Sequence, residues 1–267
     1  AAIEAGVQAG RPYRIGVTRL VDEPGTGRTG AVAPPETADQ HRTDAVPATD
    51  PDTRAAVVVA AGDGLTALFE AEGATVVGRN PATVEVLGAI RLTGAGRVVL
   101  LPNDADTQAV AMAAAREAVA VGVRVSVVPT RSPVQALAAL AVRDPRRSFS
   151  DEVIAMAEAA GACRTGEVCT ASRDALTVAG RCRPGDLLGL VDGEVHIIGT
   201  DLATVCRQLL DRMLGGGGEL VTLVLGADAP PELPDLLRTH LTQAWPFVDL
   251  QCFAGGQPRY HLLVGVE

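Results

Sequence analysis

From Ala55 onward, short apolar runs alternate with longer segments in which apolar residues recur every three or four positions, the signature of strands alternating with helices. AAVVVA (55–60), ATVV (74–77), RVVLL (97–101) and VRVSVV (123–128) read as strands. LTALFEAE (65–72), PATVEVLGAIRL (81–92) and ADTQAVAMAAAREAVAV (105–121) between them read as helices. The strand runs are apolar throughout, as expected of parallel strands covered on both faces. Residues 55–148 are therefore expected to form a parallel βαβ lobe.

The pattern changes near residue 149. After a helix DEVIAMAEAAGA (151–162), the runs GEVCTASRDA (166–175), LTVAG (176–180), DLLGLVDGEVHIIG (186–199), LVTLVLG (220–226), FVDLQCF (247–253) and YHLLVGV (260–266) read as strands. VDGEV fits a hairpin, because Asp-Gly adopts the positive φ values of a type I′ turn. With helices over 201–214 and 231–245, residues 149–267 are expected to form a mixed, mainly antiparallel α+β lobe. The run Gly215–Gly218 is expected to be a flexible helix-to-strand connection, since no lysine and helix follow it as in a phosphate loop.

Upstream, residues 21–54 are rich in Pro, Gly, Thr and charge and read as a disordered linker. Residues 1–20 read as the end of a helix and a strand. An Ala-Ala-Ile start without an initiator methionine suggests a piece of a longer polypeptide.

Composition narrows the function classes. The chain has 267 residues and 47% hydrophobic content, enough for a sizeable core, but aromatics are only 3%, so that core must be built from Ala, Val and Leu. A net charge of −9, carried against arginine alone with no lysine, excludes the concentrated cationic footprint of a nucleic-acid protein. No apolar run reaches a bilayer span and no secretory signal is visible, which points to the cytoplasm. Five cysteines without a CxxC pair signal neither a disulfide framework nor a zinc site. His196, His240 and His261 lie apart from one another in a hairpin strand, a helix and a terminal strand, and read as structural.

Candidate chemistry gathers at three turns, each following a strand and preceding a helix: Gly62-Asp63-Gly64, Asn103-Asp104 and Thr130-Arg131-Ser132. In a parallel sheet such turns collect beyond the carboxyl ends of the strands, where ligands bind, and each helix start offers free N–H groups to a carboxylate or phosphate. Asp63, Asp104 and Ser132 equally suit simple N-caps. Arg131, with a planar donor fork between two hydroxyls, favours an anion site. The sequence contains no GxSxG elbow, Walker A loop or GxGxxG fingerprint.

The motifs AAGDGL (60–65), NPATVEVLGAI (80–90), VVLLPND (98–104), VVPTRSPVQALAAL (127–140), RTGEVCTASRDA (164–175), GDLLGLVDGEV (185–195) and GGQPRYHLLVGVE (255–267) resemble, in that order, the C-terminal region of the A-type subunit of bacterial fatty-acid kinase, a family also labelled dihydroxyacetone-kinase-like, DhaL-domain or Dak phosphatase. Residues 1–20 resemble the tail of that family's middle domain. The resemblance implies a DegV/dihydroxyacetone-kinase-like α/β fold and a role in making acyl phosphate from fatty acid and ATP. It also implies a DegV-like fatty-acid-binding partner and a DhaL-type kinase domain, holding ATP and magnesium, in the parent chain. The residues that match carry no counterpart of the ATP–magnesium aspartates or of the family's HxH metal ligands. The chain is therefore expected to hold no cofactor or metal of its own, to serve as a non-catalytic docking module, and in one arrangement to pair with itself. The alternatives are a module binding fatty acid, acyl phosphate or phosphate, and a phosphatase.

Overall fold

The structure is a computed structural model and describes residues 50–267. The expectations for residues 1–20 and for most of the linker lie outside the described residues.

Four parallel strands come first: β1 (Asp50–Val59), β2 (Ala74–Val77), β3 (Ala95–Leu101) and β4 (Arg124–Val127), in the order β2-β1-β3-β4. The connecting helices are α1 (Asp63–Ala71), α2 (Thr83–Leu92) and α3 (Ala105–Val119), with α4 (Pro133–Ala141) following β4. Side-chain alternation along β1 sorts the layers. Val57 and Val59 pack with Val86 and Ile90 of α2 and Ala111 and Ala114 of α3 on one face. Ala56 and Val58 pack with Leu65 and Phe69 of α1 and with α4 on the other. Small Ala side chains on α3 let that helix lie close to the sheet, which is how a chain so poor in aromatics still fills its interior.

Two boundaries differ from the sequence reading. Asp50–Arg54, placed in the linker, are the first half of β1, because Arg54, Ala55 and Ala56 pair with Arg97, Val98 and Val99 of β3. Polar side chains on an exposed strand end look like linker when only composition is read. The second difference concerns α5 (Phe149–Ala162), whose residues Phe149, Met156 and Ala160 pack with α4 in a core shared by Ala56 and Val58 of β1 and by Val224 and Leu263 of the mixed sheet. α4 and α5 therefore pack into a core common to both sheets and no sharp break falls at 148, since helical period alone does not say which sheet a helix covers.

The mixed lobe contains β5 (Arg164–Thr170), a two-stranded ribbon of β6 (Ala175–Thr177) and β7 (Gly180–Cys182), the hairpin β8 (Leu187–Val191) and β9 (Glu194–Gly199), α6 (Leu202–Leu214), β10 (Leu220–Gly226), α7 (Leu233–Ala244), β11 (Asp249–Gln257) and β12 (Tyr260–Val266). Its six-stranded sheet runs β11-β10-β12-β5-β8-β9, and only β10 and β11 are parallel. The β8–β9 turn has φ of 49° at Asp192 and 86° at Gly193, the left-handed pair that the Asp-Gly sequence calls for. Leu209, Leu210 and Met213 of α6 and Leu237 of α7 are at most 2% exposed against Leu223, Leu262 and Val264 of the sheet.

The glycine run after α6 is held rather than loose: the Arg164 guanidinium donates to the carbonyl of Met213 at 2.7 Å and to that of Gly217. All five cysteines are free thiols. Burial pushes Cys163 and Cys206 up to about 12, so neither forms a thiolate nucleophile at neutral pH. Among the described residues no helix is long and apolar enough to cross a membrane.

Candidate functional site

The parallel strand order reverses between β1 and β3, so the helices leaving these two strands diverge and open a crevice at their carboxyl ends. The mixed sheet closes that crevice from the opposite side, giving an interlobe cleft of about 870 Å³. Val59–Ala61, Pro102–Asp104, Pro129 and Arg131 line it from the parallel lobe, and Thr165, Glu167, Asp192, Gln257 and Tyr260 from the mixed lobe.

Asn103 organises the parallel side. It sits at φ 57°, a left-handed conformation that Asn tolerates, with its backbone N–H donating to the Thr130 hydroxyl at 3.0 Å and its side-chain Nδ2 donating to the Val59 carbonyl at 3.0 Å. One residue thus ties together the ends of β1 and β3 and the turn after β4. Asp104 is a true N-cap of α3, its Oδ1 accepting from the Asp106 N–H at 2.8 Å. Its place on the cleft wall is additional to that role.

The third turn divides its residues. Arg131 is exposed and lines the cleft, while its backbone N–H is taken by Gln135 Oε1 at 2.8 Å. Thr130 is fully buried and Ser132 nearly so, and Ser132 occupies the cap position of α4 without making a cap bond. The two hydroxyls that flank Arg131 in sequence therefore point into packing and not beside it toward solvent.

Gly62, Asp63 and Gly64 have a different setting. A Cβ on Gly64 would lie 1.7 Å from the Ala254 carbonyl oxygen, and one on Gly62 would lie 2.4 Å from that of Gly255. These glycines let the start of α1 press directly against the backbone of β11, so they hold the two lobes together. Gly62, with φ 111°, is the cap residue, and Asp63 is an exposed first-turn carboxylate near the positive helix end.

Among the cleft residues that escape the sequence reading are Arg79, Glu167, Gln257 and Tyr260. Glu167 does carry a signal, being a charged residue in the middle of a strand, between Gly166 and Val168. Burial, with a smaller contribution from the nearby Asp104 carboxylate, raises its carboxyl to about 7. Burial likewise pushes up the Tyr260 hydroxyl, with Glu167 adding to the effect. Between the ordinary carboxylate range and about 7 the folded chain keeps a proton that the unfolded chain releases, so folding weakens as pH rises through that window and levels off above it. Chemical unfolding from about pH 4.5 to 8 should show this decline, and Glu167→Gln should flatten it.

Two of the cleft residues, Asn103 and Gln257, have amide oxygens buried behind its wall. Gln257 Nε2 donates to the Val224 carbonyl at 2.9 Å, as Asn103 Nδ2 does to Val59, and in both cases the side-chain oxygen has no partner among the described residues. The described residues contain no group of three or more His, Cys, Asp or Glu side chains placed to hold a metal ion. His196 meets Arg212, His240 meets Asp211, and His261 meets Thr170, so each of the three is tied to a neighbour away from the others.

Comparison with known proteins places this geometry. The FakA-like C-terminal family, which takes its description from the A-like subunit of fatty acid kinase, matches residues 55–267. Protein YloV of Bacillus subtilis is 28% identical over 216 residues, which is 79% of this chain and 38% of that protein. An uncharacterised protein of Staphylococcus haemolyticus is 29% identical over 218 residues, 80% of this chain and 39% of its own length. The chain thus spans about two-fifths of the curated relatives it matches. Among solved structures, a DegV family protein of Corynebacterium glutamicum superposes with a TM-score of 0.58 at 16% identity, covering 80% of this chain and 96% of its own. The Fak B3 protein of Streptococcus pneumoniae, loaded with linoleic acid, gives 0.56 at 11% identity, covering 80% and 99%. The fold is that of the DegV family.

Proposed function

The chain belongs to the FakA-like C-terminal family of fatty acid kinases, and from that premise we propose that it is a non-catalytic docking and regulatory module of such a kinase. In this reading it engages a DegV-like fatty-acid-binding protein and helps present the acyl carboxylate for phosphorylation. The phosphoryl step belongs to a DhaL-type domain of the parent polypeptide, where ATP and magnesium bind, and the assembly works in the cytoplasm.

The observation that carries the reading is the family match over residues 55–267. Two features of the structure support it. The space between the mixed sheet and its helices is filled by side chains of α6 and α7 that are at most 2% exposed, such as Leu209, Leu210 and Leu237, and leaves no room for an acyl chain there. Acyl binding is then the partner's task. The cleft is lined by Asp104, Glu167 and Asp192 as well as by Arg79 and Arg131, and three carboxyl groups make a poor cradle for a polyphosphate.

Calorimetric titration of the 267-residue chain with an oleate-loaded DegV-family protein from the same genome tests the proposal. A saturable complex with Kd at about the micromolar level, suited to a reversible carrier, is the expected result. Absence of heat and of a co-eluting complex at protein concentrations of about 100 μM counts against it.

A further inference from the structure

The interlobe cleft carries charge that nothing in the fold uses. Val168 is buried in the core beneath α6, so strand alternation turns its neighbour Glu167 to the opposite face of β5, onto the cleft wall. The Glu167 carboxyl is partly withdrawn from water there, and burial together with the Asp104 carboxylate raises it to about 7. A polar group in such a place is ordinarily hydrogen-bonded or ion-paired. Among the described residues the ion pairs run between other groups, and the Glu167 carboxyl takes part in none of them and in no hydrogen bond.

Arg79 and Arg131 line the same cleft from the turns after β2 and β4, and their guanidinium groups are equally without a partner among the described residues. Arg131 comes near the acidic wall without joining it. The Asn103 N–H donates to the Thr130 hydroxyl at 3.0 Å, so Asp104 and Arg131 each directly follow a member of one bonded pair. Asp104 and Asp192 are already engaged, the first by the Asp106 N–H at 2.8 Å and the second by the Thr165 N–H at 3.0 Å. Glu167 is therefore the carboxyl left free. A bare anion drawn to the arginines would meet three carboxyl groups, and a bare cation drawn to Glu167 would meet two guanidinium groups. A ligand with both signs on separate ends answers both. The volume, about 870 Å³, falls within the range of small-molecule sites, and Ala61, Pro129 and Pro258 offer apolar surface to a hydrocarbon spacer.

We propose that this cleft binds a zwitterionic amino acid, its ammonium donating to the Glu167 carboxylate and its carboxylate held by the cleft arginines. Binding is then coupled to a proton. An ammonium beside Glu167 favours the ionised carboxyl, so near neutral pH the ligand expels the Glu167 proton to the buffer. Affinity should rise roughly tenfold between about pH 6 and 8, as Glu167 passes from mostly protonated to mostly ionised, and level off above. The site is independent of the docking reading: carrier binding is scored by complex formation and cleft occupancy by small probes, so either can fail while the other stands.

The test is calorimetry on the 267-residue chain with three probes of one chain length: ε-aminocaproate, which has both charges, caproate, which has the carboxylate only, and hexylammonium, which has the ammonium only. At neutral pH ε-aminocaproate should bind at one site, about tenfold or more tighter than either of the others. Repeating the titration in buffers of different ionisation enthalpy should count the proton released. Glu167→Gln should erase the advantage over caproate together with the proton release and the pH dependence. The double variant Arg79→Ala, Arg131→Ala should erase the advantage over hexylammonium. Its side chains bond to nothing among the described residues, so it still decides the matter if Glu167→Gln fails to fold. Either singly charged probe binding as tightly as ε-aminocaproate overturns the proposal, and so does binding without proton release or the absence of binding by all three.

Discussion

Glu152→Ala should lower the unfolding free energy by about 3–5 kcal/mol, the range for removing one partner of a buried ion pair, seen as a fall in the urea midpoint with unchanged slope. Glu152 lies on α5 and its side chain is 2% exposed. One oxygen is 3.1 Å from Arg54 Nη1 on β1 and the other 3.1 Å from Arg143 Nε just beyond α4. Arg54 also donates to the Arg147 carbonyl at 2.7 Å, in the segment between α4 and α5. A single carboxylate therefore fixes α5 to the first strand. Without it two guanidinium groups, about one-fifth exposed, lose their shared counter-charge while still packed between elements. A loss under about 1 kcal/mol, the value of a solvated surface pair, would contradict this account.

Gly64→Ala should be the most damaging single methyl group on the lobe interface. Its Cβ would sit 1.7 Å from the Ala254 oxygen, and because that atom is backbone in β11, the lobes must separate to relieve the overlap. About 3 kcal/mol, the upper part of the usual overpacking range, is expected, read as a lower melting temperature. The control is Gly88→Ala in the interior of α2. Nothing lies within 4 Å of a Cβ there, so relief of the glycine's helix penalty should raise stability by about 0.5–1 kcal/mol. Equal effects of the two substitutions would contradict the interlobe contact.

The strands, the helices and the change of sheet type are legible in the sequence because they are local. Val-rich β1 and β3 are buried on both faces, as an unbroken apolar run implies, and Asp192-Gly193 turns as its sequence requires. What stays hidden depends on how distant elements meet. The three βα turns are locatable, since parallel topology gathers them at one edge. Yet only β11 reveals why Gly62 and Gly64 are glycine, and only β5 and the end of β11 bring Glu167 and Gln257 to the same cleft as Asn103. Asp104 shows the limit from the other side: its capping role is readable from one turn, whereas its effect on Glu167 across the cleft is not. The periodicity before residue 163 identifies a helix but not the sheet it covers, because an apolar stripe names no partner.

The account assigns phosphoryl transfer to another segment of the parent protein and partner engagement to this one. Nucleotide turnover by the purified 267 residues, measured with magnesium, ATP and oleate bound to a DegV-family carrier, addresses that division directly. No ADP above the carrier-only background is the predicted result. Sustained ADP and acyl phosphate formation by this chain, lost on Asp104→Asn, would contradict it.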